Sequence, residues 1–356
     1  MKSIWPLFLT FHLLIGIIGL IANISMFCDI IRTRLYRNNT GTYLLNLVIN
    51  NILVLAVQLP MNFLILLFEN WVFGEAMCYA AAIIPYLLIH SSMLTFILMS
   101  VDRYRSIAHP NKRQLNVLVC LITIWISAIC AATPVVTYIH YRDLNGLTNK
   151  LANNGLCWST GDDYSKIVFV TIFTLPALVI ALILVKTASE LKTKSELCKL
   201  YQTTLRSLDD KGKTIDTMHS DVDSSAGEDL NEKYKEQKWV EKEKTTQKYL
   251  TIMTCLWVAC WVPMKIFTSI STNTIETADN VLMFDLALMI LLPISALSSI
   301  TTPLCFKLMK LKLASKFDNS YEADGRLEDH DHKSLMCASS LKIHDPFSTL
   351  DVSQFI

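Results

Sequence analysis

Residues 79–104 read YAAAIIPYLLIHSSMLTFILMSVDRY, an apolar run without charge that stops on Asp102-Arg103-Tyr104. From Tyr79 to Val101 the run is long enough for a helix to cross the hydrocarbon of a bilayer. An acid and a guanidinium fixed at the mouth of such a helix cost free energy, so their presence points to function. Cys78 stands just before the run, and Arg105, Lys112 and Arg113 follow the triplet.

Six further runs accompany it: Pro6–Ile31, Thr42–Phe68, Leu115–Ile139, Ile167–Val185, Tyr249–Ile270 and Val281–Phe306. Each is about 20 residues or more, the length a spanning helix needs. Backbone groups in lipid must satisfy one another, so each run is expected to be helical, and no strand alternation suggests a barrel. Only 18% of the 356 residues are charged, 52% are hydrophobic, and the mean hydropathy of +0.38 is not that of a soluble domain. The expected fold class is an all-α membrane protein, a seven-transmembrane helix bundle. A net charge of +1 offers no basic field, so no nucleic-acid partner is expected.

Lysine and arginine orient the bundle. The loop after the first run holds Arg32, Arg34 and Arg37, and that after the third holds Arg103, Arg105, Lys112 and Arg113. The loop after the second run holds only Glu69 and Glu75. Positive loops face the cytoplasm, which predicts a multi-pass plasma-membrane protein with its N-terminus extracellular. The first run is read as a span rather than a cleaved signal peptide, because it is too long and three arginines follow it.

The chain is expected to divide into a membrane bundle over 1–317 and a polar cytoplasmic tail over 318–356 that lacks order. A long inner loop occupies about 186–248. Its Ser-, Asp- and Gly-rich middle, Asp209 to Asp229, is expected to be disordered. Its Glu- and Lys-dense end, from Glu228 to Tyr249, is expected to extend the sixth helix inward. After Phe306, a helix would place Met309, Leu313 and Phe317 on one face with Lys316 at its edge. That predicts a short amphipathic helix on the inner leaflet after the seventh span. His330-Asp331-His332 is read as solvated tail, with no metal expected, and Cys337 is open to lipidation but lies far from the bilayer helix, so no lipid anchor is assigned to it. Of ten cysteines only Cys78 and Cys157 fall in outer segments, the oxidising side. A disulfide between them would pin the long outer loop, about His140 to Lys166, over the bundle and lower its entropy.

Further residues carry a resemblance. These are Gly19 to Asn23 in the first run, Asn46-Leu47 in the second, and Trp71-Val72-Phe73-Gly74 before Cys78. Trp125 lies in the fourth run, Pro176 in the fifth, and Cys260-Trp261-Val262-Pro263 in the sixth. With the topology, the disulfide and the inner triplet, the chain resembles the rhodopsin-like (class A) G-protein-coupled receptors from about residue 15 to 317. The resemblance implies a receptor, not an enzyme, that needs no cofactor. Its implied partners are an extracellular ligand, a heterotrimeric G protein, arrestin, receptor kinases and membrane lipid. Asp102, Arg103 and Tyr104 would then couple to the G protein, and Glu243 would stand where relatives hold a partner for Arg103. Pro263 frees a backbone carbonyl and permits a hinge, and Trp261 is a bulky lever beside it. A two-state lock follows, released by outward movement of helix six.

The chain also departs from the family. Asn51 replaces the second-helix aspartate, and Thr302-Pro303-Leu304-Cys305-Phe306 replaces the seventh-helix Asn-Pro-X-X-Tyr. Leu184 stands for a tyrosine and Trp257 for a phenylalanine. Asn51, Ser92 and Ser298 can hydrogen-bond but lack the charge that anchors a hard cation, so no sodium site is expected. Phe306 and Leu184 lack hydroxyls that relatives use to bridge helices in the active state.

For the ligand, Pro85 occupies the position of the amine-binding aspartate and Ala296 that of the retinal lysine, which argues against both classes. The Trp71–Cys78 stretch most resembles neuropeptide receptors, especially those of the neuropeptide Y type. Gln58, Asn62, Tyr86, His90, Lys265, Asp285 and Met289 are the candidate pocket residues. Lys265 is expected to pair with Asp285 or with an acidic ligand group, and His90 to be a hydrogen-bonded core residue. Glu69, Glu75, Asp162 and Asp163 make an acidic rim that would steer a basic peptide. The alternatives are a receptor of the same fold for a lipid or other small molecule, or a membrane transporter. A transporter is disfavoured by the lack of an inverted repeat and of a mid-membrane carboxylate. A membrane hydrolase would need clustered His, Asp or Glu, and the only histidines in the runs are His12 and His90.

Overall fold

The computed structural model describes residues 5–67, 71–109, 114–144, 155–160, 169–212, 223–271 and 281–332. Seven helices are long and apolar enough to span a bilayer. They are α1 (Thr10–Arg32), α2 (Asn39–Asn62), α3 (Gly74–Ala108), α4 (Val117–Tyr138), α5 (Val170–Tyr201), α6 (Lys235–Ser271) and α7 (Leu282–Lys316).

Their packing inverts the soluble pattern. Val185, Leu118 and Leu182 are more than 60% exposed, whereas Asn23, Asn50 and Thr302 are fully buried. Hydrocarbon outside removes the penalty on exposed apolar surface and leaves polar groups to find each other between helices. A large apolar core runs through the inner half of the bundle, around Tyr43, Phe96, Met99, Met253 and Phe306.

Two helices carry a π turn, Val54–Gln58 in α2 and Phe169–Thr174 at the start of α5. Each stands just before a proline, Pro60 and Pro176. A proline ring clashes with the carbonyl four residues earlier and offers it no N–H, and a widened turn relieves both problems. The turn also re-aims Gln58 relative to the inner half of α2.

At the outer end, strands β1 (Ile139–Asp143) and β2 (Gly155–Ser159) form an antiparallel hairpin with Tyr141 opposite Cys157. Cys157 is disulfide-bonded to Cys78 at the head of α3, with Cα atoms 5.8 Å apart. Trp71 pairs its backbone with Gly155 and donates its indole N–H to the Gly74 carbonyl at 2.7 Å. Gly74 opens α3 at φ 75°, a conformation that favours glycine. The hairpin is therefore fixed to α3 by a covalent bond and to the segment just before it by a backbone bridge.

On the inner side, helix covers more than the sequence suggests. The helix containing α5 runs to Gly212 and that containing α6 begins at Asp223. The stretch 209–229, expected to lack order, is thus helical over 209–212 and 223–229, and 213–222 lie outside the described residues. The Glu and Lys of this region favour helix strongly enough to extend both spans. After the seventh span the chain is helical as expected, but it joins α7 without a break and continues to His332, past the predicted tail boundary at 318. Phe306, Met309 and Leu313 are buried on one face of it. The Asn145-Gly146 turn, Glu69, Asp162, Asp163 and residues 333–356, Cys337 among them, lie outside the described residues.

Candidate functional site

The inner end of α3 holds Arg103 against α6. Its Nη1 lies 2.7 Å from Glu243 Oε2, and the two side chains are only 8% and 11% exposed. Asp102 does not pair with Arg103. It accepts a hydrogen bond from Asn39 Nδ2 at 2.9 Å, and Asn39 also donates to the Leu115 carbonyl. Successive residues on a helix point about 100° apart, so the acid faces α2 while the guanidinium faces α6. Tyr104 is half-buried with its ring edge-on to His109. Beside the pair, Glu241 on α6 binds Lys316, and Lys244 donates to Ser195 on α5. Lys310 reaches back to Asp29 on α1 at 3.0 Å.

Above this ion pair, asparagines tie the helices. Asn23 donates to the carbonyls of Gly19 and Ser299, both at 2.8 Å, and accepts from Asn51 at 3.2 Å, joining α1, α2 and α7. Asn46 donates to Thr95 at 2.7 Å and accepts from the Trp125 indole at 3.1 Å, joining α2, α3 and α4. Asn50 donates to Ser91. Ser92, Ser298, Pro303 and Phe306 are buried nearby on α3 and α7. Asn51 therefore spends its N–H on a neighbouring amide and brings no charge to the interior.

Trp257 sits at the centre of an aromatic stack. Its ring centroid is 5.5 Å from Phe96 on α3, 6.5 Å from Phe173 on α5 and 5.9 Å from Trp261 one turn outward. Pro263 lies within α6 just beyond Trp261, and Pro176 is buried on α5. Lys265 lies over the ring of Tyr86 at 5.2 Å and that of Trp261 at 5.9 Å. The expected Lys265–Asp285 pair is not formed. Asp285 is exposed, and among the described residues neither group has an ion partner. Ring faces, not a carboxylate, meet the ammonium. His90 is buried with Nε2 3.4 Å from Ser127, as a core histidine would be. Met289 is buried, while Gln58 and Asn62 are half-buried on α2.

A seven-helix bundle with this hairpin and ion pair invites comparison with known proteins. Residues 22–306 match the family described as 7 transmembrane receptor (rhodopsin family). The chain belongs to that family. This rhodopsin-family receptor is a multi-pass membrane protein. It is 25% identical over 206 residues to neuropeptide FF receptor 2 of Mus musculus, covering 54% of this chain and 49% of the relative. It is 26% identical over 141 residues to galanin receptor 2a of Danio rerio, covering 38% and 39%. It is 30% identical over 126 residues to lysophosphatidic acid receptor 6 of Gallus gallus, covering 34% and 41%. The chain thus spans about half or less of the length of these curated relatives.

Sequence reading missed Asn39 as the partner of Asp102, and Ser127 as that of His90. It also missed the inner cluster of Glu241, Lys316, Lys244 and Ser195. A polar side chain in or beside an apolar run was the only available signal, and it does not say which neighbour is faced.

Proposed function

We propose that this receptor binds an extracellular neuropeptide and activates a heterotrimeric G protein by outward movement of α6. It would act in the plasma membrane with its N-terminus extracellular. The observation that carries the reading is the continuity of α6. Its outer half bears Lys265, Pro263 and Trp261 beside the candidate pocket residues, its middle bears Trp257, and its inner end bears Glu243 on Arg103. A ligand pressing on Trp261 moves the element whose inner end closes the gate. Asp102, Arg103 and Tyr104 would then meet the transducer, and serines and threonines of the inner segments would receive receptor kinases and arrestin.

The ligands named for the neuropeptide FF and galanin relatives support a peptide. The test is a synthetic neuropeptide screen on the full chain with calcium and cAMP readouts. A saturable peptide response that Arg103→Ala abolishes is expected. A cell that answers lipid extracts and no peptide overturns the peptide assignment. That second reading, a lipid receptor, draws on the lysophosphatidic acid relative and on the cation at Lys265.

A further inference from the structure

We infer that the outer pocket is built to receive an anionic oxygen group, a carboxylate or a phosphate, seated against Lys265 between Tyr86 and Trp261. The inference rests on the reading above that ligand enters at the outer end of the bundle, and it names the chemistry recognised there.

An ammonium on a membrane helix is costly unless a counterion or water meets it. Among the described residues no carboxylate pairs with Lys265, and Asp285, the acid expected to do so, is exposed. The faces of Tyr86 and Trp261 meet the cation, and ring quadrupoles offset only part of its desolvation. Trp261 supplies the second observation. It is 4% exposed, and among the described residues its indole N–H has no acceptor. An indole nitrogen only donates, so the missing partner is an acceptor. A cation beside an unanswered donor fits one kind of guest. An anion would meet both, whereas a cationic group would be repelled by Lys265 and a neutral one would leave it without a counterion.

The carboxylate of a peptide and the phosphate of a lysophospholipid share this chemistry. The test uses the full-length receptor in phosphatidylcholine nanodiscs and follows its melting temperature. One set of probes is the synthetic neuropeptides of the screen above, each paired with a twin in which the carboxylates are carboxamides. The other is 1-oleoyl lysophosphatidic acid paired with 1-oleoyl glycerol. An anionic member should raise the melting temperature by several degrees, and its neutral twin should bind about tenfold or more weakly. Lys265→Met should erase that difference and Lys265→Arg keep it. Twins of equal strength, no anionic member that binds, or a difference that survives Lys265→Met would each overturn the inference. So would a drop of several degrees in the ligand-free Lys265→Met receptor, which would assign the lysine to packing. A fully amidated peptide acting at undiminished potency would sink the anion inference and leave the peptide reading standing. Action by the phosphate alone would do the reverse.

Discussion

Glu243→Ala should raise ligand-free signalling. Arg103 and Glu243 are 2.7 Å apart with side chains 8% and 11% exposed, so solvent screens their attraction poorly. Removing one member of a buried pair leaves an uncompensated charge, at a cost of about 3–5 kcal/mol in a dry interior. The inner end of α3 adjoins water and Asp102, so the charged hydrogen-bond range of about 1.5–3 kcal/mol is the better guide. Since 1.4 kcal/mol is tenfold, the closed-to-open ratio should fall about 10- to 150-fold. A minor open state of roughly 1% would then become a tenth to more than half of the population. The assay is nucleotide exchange on G protein by membranes carrying equal receptor without ligand. Glu243→Gln, which keeps an acceptor but no charge, should fall between wild type and alanine. Basal exchange that is unchanged in Glu243→Ala at matched surface expression would refute the gate.

Other outcomes follow from buried contacts. Asn46→Ala leaves the Trp125 indole N–H without its acceptor, while Thr95 keeps its bond to the Ser91 carbonyl, and should destabilise the receptor by about 1–3 kcal/mol for the one orphaned group, read as a lower melting temperature. Gly41→Ala places a Cβ 2.0 Å from the Leu35 carbonyl oxygen, a backbone atom that cannot step aside, and should largely prevent folding as judged by surface expression. Gly19→Ala meets only the movable tip of Leu55, at 2.8 Å, and should be far milder in the same assay. Agonist binding should be the same in sodium and in a bulky organic cation, because Asn51 offers an amide already bonded to Asn23; a sodium-dependent loss of affinity would contradict this.

Much of the candidate site was visible as residue types and little of it as pairings. Cys78 and Cys157 were legible because sidedness alone isolates two thiols on the oxidising face. Trp261 and Pro263 were legible as a lever and a kink because their chemistry is local to one helix. Trp257 was legible only as a departure, and its role as the hub that joins α3, α5 and α6 needed coordinates. The inner segments misled in another way. Their composition reads as solvated and polar, yet glutamate and lysine at helical spacing sustain the helices that contain α5 and α6 well past the membrane-spanning lengths.

From the chain of letters alone came the number of spans, their order, the positive loops and the motif positions. Hydrocarbon is a uniform solvent, and length and charge along one dimension suffice to partition a helix into it. Partner choice belongs to the folded bundle. Arg103 meets a glutamate 140 residues away while its neighbour Asp102 turns to Asn39, and Lys265 meets two ring faces instead of Asp285. Each of these depends on the rotation and depth of one helix against another. Packing of whole helices sets those quantities, and no local pattern of residues records them.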